Sequence, residues 1–251
     1  MRHSIKLFRI FLISLSFTVV VLIVKYVFHY LGWEIIEQTS LHNSVISSVT
    51  FVIGFLLSAT IADYKESERI PSDFASNLED IYDDSVQIHA SYPTFDIEAL
   101  KTQLQRVAEG FGKDARKKSY DAREDIRTLG VYFAAMESGG VPPNFIVKLK
   151  QQQTQLLRSR QRVNYIQRIK FIPSASILAC SIVIGVIVLL ILTNIDPFYG
   201  GLVISCIISF VLIYMLILIR VISTPFHEAG KTQDDVSLFL VNDAAEYLAK
   251  K

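Results

Sequence analysis

Four long blocks of apolar residues divide this sequence, and they restrict its fold more than any other feature. A helix needs about 20 largely apolar residues to cross the hydrocarbon core of a bilayer, and each block is of that length. The sequence therefore predicts an all-α membrane protein with four transmembrane helices. The spans are Leu7 to about Leu31, Asn43 to Ala62, Ser174 to Thr193 and Gly200 to Ile219.

Charge between the blocks predicts how the chain is oriented. The N-terminus is basic, whereas the loop after the first span carries Glu34 and Glu37 without any Lys or Arg, and the turn between the last two spans holds only Asp196. Most Lys and Arg residues lie in the long central segment. By the positive-inside rule, we expect both termini and this segment to be cytoplasmic in a multi-pass protein of the cell (inner) membrane. A cleaved signal peptide is the alternative for the first block, but no small-residue cleavage site follows it.

Apolar positions at helical spacing in the central segment predict a cytoplasmic helical domain. We expect the helix of the second span to bend or break at Pro71 and a new helix to be capped by Ser72. The predicted domain boundaries are 1–62, 63–171, 172–222 and 223–251. The predicted helices of the central segment are Asp73 to His89, Ile97 to Phe111, Asp114 to Met136 and Asn144 to Ile169.

The last of these helices is basic and has no acidic residue. Its charge indicates either contacts with anionic lipid headgroups beside the membrane or a cytoplasmic vestibule that concentrates anions. No aromatic residues are interleaved with the basic ones in the manner of a nucleic-acid module, so we expect no nucleic-acid partner. The candidate residues are Lys148, Lys150, Arg158, Arg160, Arg162, Arg168 and Lys170.

No motif in the sequence predicts an enzyme. Phosphate-binding glycine loops, nucleophile elbows and metal-ligand spacings are all missing, so we expect no catalytic residue, metal or cofactor. Lys25 is the one ionisable residue well inside a span. It either extends its ammonium group to the membrane surface or pairs with His29, four residues further along the same helical face, to attract anions.

The second span carries an unusual mixture of side chains. Polar and aromatic residues share one helical stripe, and a seam of small residues suited to close helix contact lies beside it. Several copies around an axis would form a narrow apolar constriction that gates by dewetting; ordinary packing with Phe facing lipid is the alternative. The stripe consists of Ser47, Phe51, Phe55, Ser58 and Ala62, and the seam of Ser47, Thr50, Gly54 and Ser58.

Two stretches of the sequence resemble the bestrophin family of pentameric ion channels. The run TFVIGF from Thr50 to Phe55 is similar to the family's neck segment. The runs Ile219 to Phe226 and Asp234 to Leu238 are similar to its Pro-Phe element and the acidic continuation. The resemblance implies that Phe51 and Phe55 line the neck. It places Asp234 and Asp235 near the membrane boundary, where they bind a cation or cap the next helix.

These observations predict a bestrophin-like homo-oligomer, a pentamer on the resemblance, with its helices around a central pore. Such a channel would pass small monovalent ions, with an anion such as chloride favoured, through the neck lined by Phe side chains. Its partners would be further copies of itself, the lipid bilayer and small inorganic ions. The alternative is a non-conducting membrane scaffold or sensor whose cytoplasmic helices bind a partner protein.

Overall fold

The computed structural model describes residues 8–116, 120–168, 173–226 and 235–250. Its described residues form helices joined by short loops, with two strands of two residues each. The helices are α1 (Arg9–Tyr30), α2 (Ser40–Ser91), α3 (Ile97–Ala115), α4 (Ala122–Ser138), α5 (Pro143–Arg168), α6 (Pro173–Leu192), α7 (Phe198–Ile222) and α8 (Phe239–Lys250); the strands are β1 (Ile36–Glu37) and β2 (Thr193–Asn194). The chain packs as two compact units, here called the membrane unit (residues 8–64 and 173–224) and the helical unit (residues 65–168, 225–226 and 235–250).

The membrane unit contains the four predicted spans. Helices α1, α6 and α7 and the 52-residue helix α2 are each long and apolar enough to cross a bilayer. Helices α1 and α7 lie side by side, with the rings of Phe11 and Phe210 5.4 Å apart. The side chains buried in these two helices include Ser14 and Thr18 on α1 and Ser209 on α7. Small residues allow two helix backbones to approach closely in a membrane, where apolar side chains gain little by leaving lipid.

Strands β1 and β2 form a parallel bridge at one end of the membrane unit. Ile36 pairs with Thr193 and Glu37 pairs with Asn194. Because β1 lies between α1 and α2 while β2 directly follows α6, the bridge connects the loop after α1 to the end of α6. It also fixes the chain only a few residues before α2 begins.

Of the bend and the break predicted as alternatives at Pro71, the structure contradicts the break. Helix α2 continues through Pro71, and Ser72 lies inside it and is not an N-cap. A proline within a helix costs about 3 kcal/mol because its ring removes a backbone donor and crowds the preceding turn. Ile70, Phe74 and Leu78 are buried around it, and each fully buried large side chain contributes about 1.5–3 kcal/mol. Burial on both sides of the proline therefore outweighs its local cost.

The helical unit has a core of large apolar side chains. Phe74 of α2 stacks on Phe111 of α3 with ring centroids 3.8 Å apart, and both are fully buried. Helix α8 joins this core through one apolar face, and its Tyr247 hydroxyl donates to Asp83 at 2.9 Å. This packing explains why a 12-residue helix is stable at the end of the chain, since a helix of that length is marginal alone.

The prediction of one helix from Asp114 to Met136 is wrong. Helix α3 extends to Ala115, and α4 begins at Ala122. Asp121 caps α4, because its carboxylate accepts a hydrogen bond from the backbone N–H of Arg123 at 2.9 Å. Apolar periodicity does not reveal such a cap, because the cap is a polar residue that lies between two apolar patterns.

Candidate functional site

The five stripe residues predicted for the second span share one exposed face of α2. We call this set the neck stripe. Phe51 is 76% exposed and Phe55 is 68% exposed within the single chain. Ser47, Ser58 and Ala62 are also exposed. The spacing of three and four residues brings all five onto one side of the helix.

The opposite face of α2 packs against the other spans. Ile53 and Thr60 are at most 1% exposed. Ile53 lies in a cluster with Val183 of α6 and Leu212 of α7. This packing fixes the rotation of α2 about its own axis, so the neck stripe is directed away from the chain's own core.

Several hydroxyl groups of α2 outside the neck stripe are satisfied within the helix itself. Ser48 donates to the carbonyl of Ser44, Thr50 to that of Ile46 and Thr60 to that of Leu56, at 2.7–2.8 Å. Such bonds remove the cost of placing a hydroxyl in an apolar environment. The polar residues of α2 can therefore face lipid, water or a second helix without leaving these donors unpaired.

The small-residue seam beside the neck stripe is open in the single chain. Thr50 and Gly54 are half-buried. A β-carbon added at Gly54 would meet no heavy atom within 4 Å. The seam thus offers a surface on which another helix backbone can lie closely.

The structure corrects the prediction for Arg160. This side chain is buried, with Nε 2.7 Å from Asp114 Oδ2 and Nη2 2.9 Å from Asp121 Oδ1. It joins the end of α3 to the cap of α4. Arg160 therefore holds the helical unit together and contacts neither a lipid headgroup nor a vestibule, because a buried guanidinium needs carboxylate partners of its own.

The other predicted basic residues of α5 divide into two groups. Three form exposed ion pairs: Lys148 with Asp84 at 2.7 Å, Lys150 with Glu137 at 3.8 Å and Arg162 with Glu66 at 2.9 Å. Arg158 and Arg168 are exposed and have no ion-pair partner within the described residues. The face of α5 that bears Lys150 and Arg158 also exposes Gln151, Thr154 and Gln155 along a shallow groove of about 470 Å³. Lys170 lies outside the described residues.

Asp235 does not cap the last helix. It precedes the first residue of α8, Phe239, by four positions, and an N-cap directly precedes the first helical residue. The predicted Asp234 lies outside the described residues. Within the described ranges, no group of three or more His, Cys, Asp or Glu side chains is arranged to hold a metal ion.

Lys25 takes part in a buried cluster that the sequence did not predict. Its side chain is 1% exposed, and its ammonium group lies 3.1 Å from Glu34 Oε1. The other oxygen of Glu34 is 2.7 Å from His29 Nδ1. The prediction that Lys25 reaches the membrane surface or pairs with His29 is therefore wrong, since both residues bind Glu34. A lone lysine in a span followed by an acidic loop was the available signal, but spacing could not distinguish Glu34 from Glu37.

Comparison with solved structures identifies the architecture. Neither a family profile nor a curated relative matches the sequence. A bacterial bestrophin homologue from Klebsiella pneumoniae, in crystals phased with zinc, aligns over 98% of both chains at 14% identity with a TM-score of 0.77. A point variant of that homologue aligns over 98% of both chains at 14% identity with a TM-score of 0.78.

The chain has the bestrophin fold. The resemblance read from TFVIGF and the two C-terminal runs is thereby confirmed at the level of fold. The all-α class with four membrane-spanning helices is confirmed as well. At 14% identity, the similarity establishes the arrangement of the helices. The chemistry of the neck stripe depends on this chain's own residues.

Proposed function

We propose that the chain is one subunit of a homo-oligomeric, bestrophin-like channel, a pentamer, that passes small monovalent ions. The neck stripe of each copy faces a central pore, and the rings of Phe51 and Phe55 form an apolar constriction. Ions cross it when the constriction widens or becomes wet. The protein moves ions passively and performs no enzymatic step.

The observation that carries this proposal is the mixed chemistry of an exposed face. Helices α1 and α6 expose mainly apolar residues such as Phe17, Ile177 and Ile184, as expected of lipid-facing surfaces. Their exposed Ser16 and Ser181 donate to carbonyls of their own helix. On the exposed face of α2, Ser47 and Ser58 instead flank the pair Phe51 and Phe55. Hydroxyls at either end of a pair of bulky rings suit a narrow aqueous path, and the open seam beside them suits contact with a neighbouring copy.

We further propose that the channel favours anions such as chloride. Arg158 and Arg168 supply positive charge on exposed positions of α5, and Lys150 has only a loose partner at 3.8 Å. If this face lines the vestibule, its charge raises the local concentration of anions. A bi-ionic potential across a planar bilayer should then shift towards the chloride equilibrium potential. Arg158→Gln should reduce that shift, and an unchanged potential would remove Arg158 from the pathway.

The test of the neck compares two matched pairs of substitutions in liposome flux. Phe51→Ala with Phe55→Ala removes both rings, and we expect the ion leak to rise about tenfold or more, because the apolar barrier to hydration is lost. Ile177→Ala with Ile184→Ala removes exposed apolar side chains from α6 and should leave the leak unchanged. Equal leak in both variants, with intact oligomers, would show that Phe51 and Phe55 face lipid.

The mass of the purified protein in detergent tests the assembly. A pentamer of the 28.4 kDa chain is expected, whereas a monomer or dimer without flux would favour a scaffold or sensor.

The orientation is tested separately with a membrane-impermeant thiol reagent. We propose that both termini face the cytoplasm in the inner membrane, so a cysteine introduced at Tyr199 should be labelled from outside intact cells and one introduced at Lys250 should not.

A further inference from the structure

One carboxylate at the end of the membrane unit holds two basic side chains. The side chain of Glu34 is 5% exposed; its Oε1 lies 3.1 Å from Lys25 Nζ and its Oε2 lies 2.7 Å from His29 Nδ1. Because Nδ1 lies against a carboxylate, neutral His29 donates its Nδ1–H to Glu34. The cluster thus contains one histidine next to a buried ion pair.

Lys25 is the fixed member of the cluster. Besides Glu34, its ammonium group donates to the backbone carbonyls of Leu190 and Thr193, each at 2.9 Å. All three of its N–H bonds are therefore used, and the group satisfies carbonyls at the C-terminal end of α6.

His29 is the accessible member of the cluster. Its side chain is 41% exposed, and its ring stacks on Phe198, the first residue of α7, with centroids 3.7 Å apart. Histidine is the side chain whose ordinary charge change falls between pH 5 and 8. A proton can therefore reach this ring from water while Glu34 and Lys25 remain buried.

The cluster is connected to the start of α2 by a short chain of contacts. Two residues after Glu34, Ile36 pairs with Thr193 in the parallel bridge. Helix α2 begins at Ser40 and carries Phe51 about three turns later. The hold of Lys25 and His29 on Glu34 therefore restrains the segment from which α2 starts.

The distances within the cluster determine whether protonation of His29 strengthens or weakens its contact with Glu34. Protonated His29 would be 2.7 Å from a carboxylate oxygen, whereas Lys25 contacts the other oxygen of the same group and is farther away. Coulombic attraction to the nearer charge exceeds repulsion from the farther one. A charge-assisted hydrogen bond is also roughly twice as strong as a neutral one. Acidification therefore tightens the contact.

Another histidine lies in the first turn of α2, against the last residue of the loop, and must act in the opposite direction. His42 Nδ1 accepts from the backbone N–H of Thr39 at 3.1 Å, and a protonated ring could not accept this bond. The remaining ionisable groups of the packed elements do not ordinarily change charge between pH 5 and 8. At the end of these elements that carries the cluster, they are Tyr26 and Tyr30 on α1, Glu37 on β1, Asp196 before α7 and Tyr199 on α7.

We propose that Lys25, Glu34 and His29 form a proton-responsive latch that fastens the loop between α1 and α2 when His29 is protonated. The latch holds the loop to α1, to the end of α6 and, through the stacked ring, to the start of α7. Its effect on ion flow rests on the proposed channel function. A fastened loop restrains the start of α2, so flux falls as the pH on the side of this loop decreases from 8 to 6.

Hydrogen exchange tests the latch without requiring conduction. In nanodiscs, the protection factors of the amides from residues 33 to 38, corrected for the intrinsic pH dependence of exchange, should be about fivefold higher at pH 6 than at pH 8. His29→Gln should abolish this difference. His29→Phe, which preserves the ring on Phe198, should abolish it as well. His42→Gln is the matched control, and its difference should be at least as large as that of the wild type, because it removes the histidine that acts in the opposite direction.

Flux through the same variants separates the latch from the channel. Wild-type flux that falls at least twofold on acidification, together with pH-independent flux in His29→Gln, supports the latch. Protection factors that do not change with pH, or that change equally in His29→Gln and the wild type, overturn it. A pH-dependent loop in a protein without any flux would retain the latch and reject the channel.

Discussion

The contact between α1 and α7 in the membrane unit and the core of the helical unit bury opposite kinds of side chain. Between α1 and α7, the fully buried residues are Ser14, Thr18, Ser205 and Ser209, while large apolar residues cover the outside. The helical unit buries Phe, Leu and Ile and exposes charge. The difference follows from the surroundings: lipid gives no hydrophobic gain for burying a leucine, whereas water does.

The neck stripe departs from the pattern of the unit that contains it. Most of the exposed surface of the membrane unit is apolar, but α2 exposes Ser47 and Ser58 beside Phe51 and Phe55. Ser16 of α1 and Ser181 of α6 are exposed as well, but each donates to the carbonyl four residues earlier. The hydroxyls of Ser47 and Ser58 have no hydrogen-bond partner within the described residues, so a surface that faced lipid alone would leave them unpaired. The contrast within one unit therefore supports a face that meets water or another subunit.

The strongest way to test this contrast is to delete one aromatic ring from each unit. Phe74→Ala removes a fully buried ring stacked on Phe111 and should lower the free energy of unfolding by about 3–5 kcal/mol. Phe17→Ala removes a ring that is 58% exposed on α1 and should change it by less than about 0.5 kcal/mol. Denaturant titration in detergent measures both values. Equal losses would mean that Phe17 is buried in the assembly.

A second test concerns the buried ion pair of Lys25 and Glu34 in the membrane unit. Lys25→Met leaves the Glu34 carboxylate buried with only His29 as a partner, and breaking a buried pair costs about 3–5 kcal/mol. Because the apolar replacement recovers some packing, we expect the lower end of that range. The double variant Lys25→Met with Glu34→Gln should recover most of the loss. A double variant as unstable as the single one would show that the carbonyl contacts of Lys25, and not its charge, dominate.

The sequence predicts the spans well because each is a continuous apolar run of the required length. It predicts the neck stripe for a similar reason, since positions three and four apart must share a helical face. It fails at Pro71, where the local rule favours a break but burial of neighbouring residues maintains the helix. Local propensity is a weak guide wherever tertiary packing contributes more.

The sequence could not predict which charged side chains of the site pair with each other when they are far apart in the chain. Arg160 and Lys148 look alike in a basic helix, yet one is buried between Asp114 and Asp121 and the other forms an exposed pair. Which basic residue faces the core depends on the helices packed around α5. Likewise, only the folded loop determines that Glu34 meets Lys25.

A third test uses one glycine from each unit. A β-carbon at Gly110 of α3 would lie 2.7 Å from the Tyr120 ring and 2.9 Å from Asp125. Overpacking of this kind costs about 1–3 kcal/mol, partly offset by the better helix propensity of alanine, about 1 kcal/mol. We therefore expect Gly110→Ala to lower the free energy of unfolding by about 1 kcal/mol.

The matched substitution lies in the seam of α2. Gly54→Ala meets no atom of its own chain within 4 Å, so the stability of a single subunit should be unchanged or slightly higher. Its effect should instead be on assembly, because a methyl group in a close helix contact separates the backbones. Measurement of the oligomer mass at decreasing protein concentration checks this. An oligomer that dissociates no more readily than the wild type would place the subunit contact elsewhere.

The smallest expected effect comes from replacing one buried serine with alanine in each unit. Because the substitution is the same, the two results compare the units directly. Ser209 of α7 is fully buried, and its hydroxyl has no hydrogen-bond partner within the described residues. Ser85 of α2 is equally buried in the helical unit, but its hydroxyl donates to the Ile81 carbonyl at 2.6 Å. Ser209→Ala therefore removes an unpaired polar atom, and Ser85→Ala removes a hydrogen bond.

We expect Ser209→Ala to be neutral or stabilising by up to about 1 kcal/mol, and Ser85→Ala to cost about 0.5–1.5 kcal/mol. Both changes keep the side chain small, so helix packing is preserved and the difference reports the hydroxyl alone. Parallel denaturant titrations of the two variants measure it. If Ser209→Ala costs as much as Ser85→Ala, the Ser209 hydroxyl is hydrogen-bonded in the membrane, and water would then bridge α1 and α7, since small polar residues line that contact.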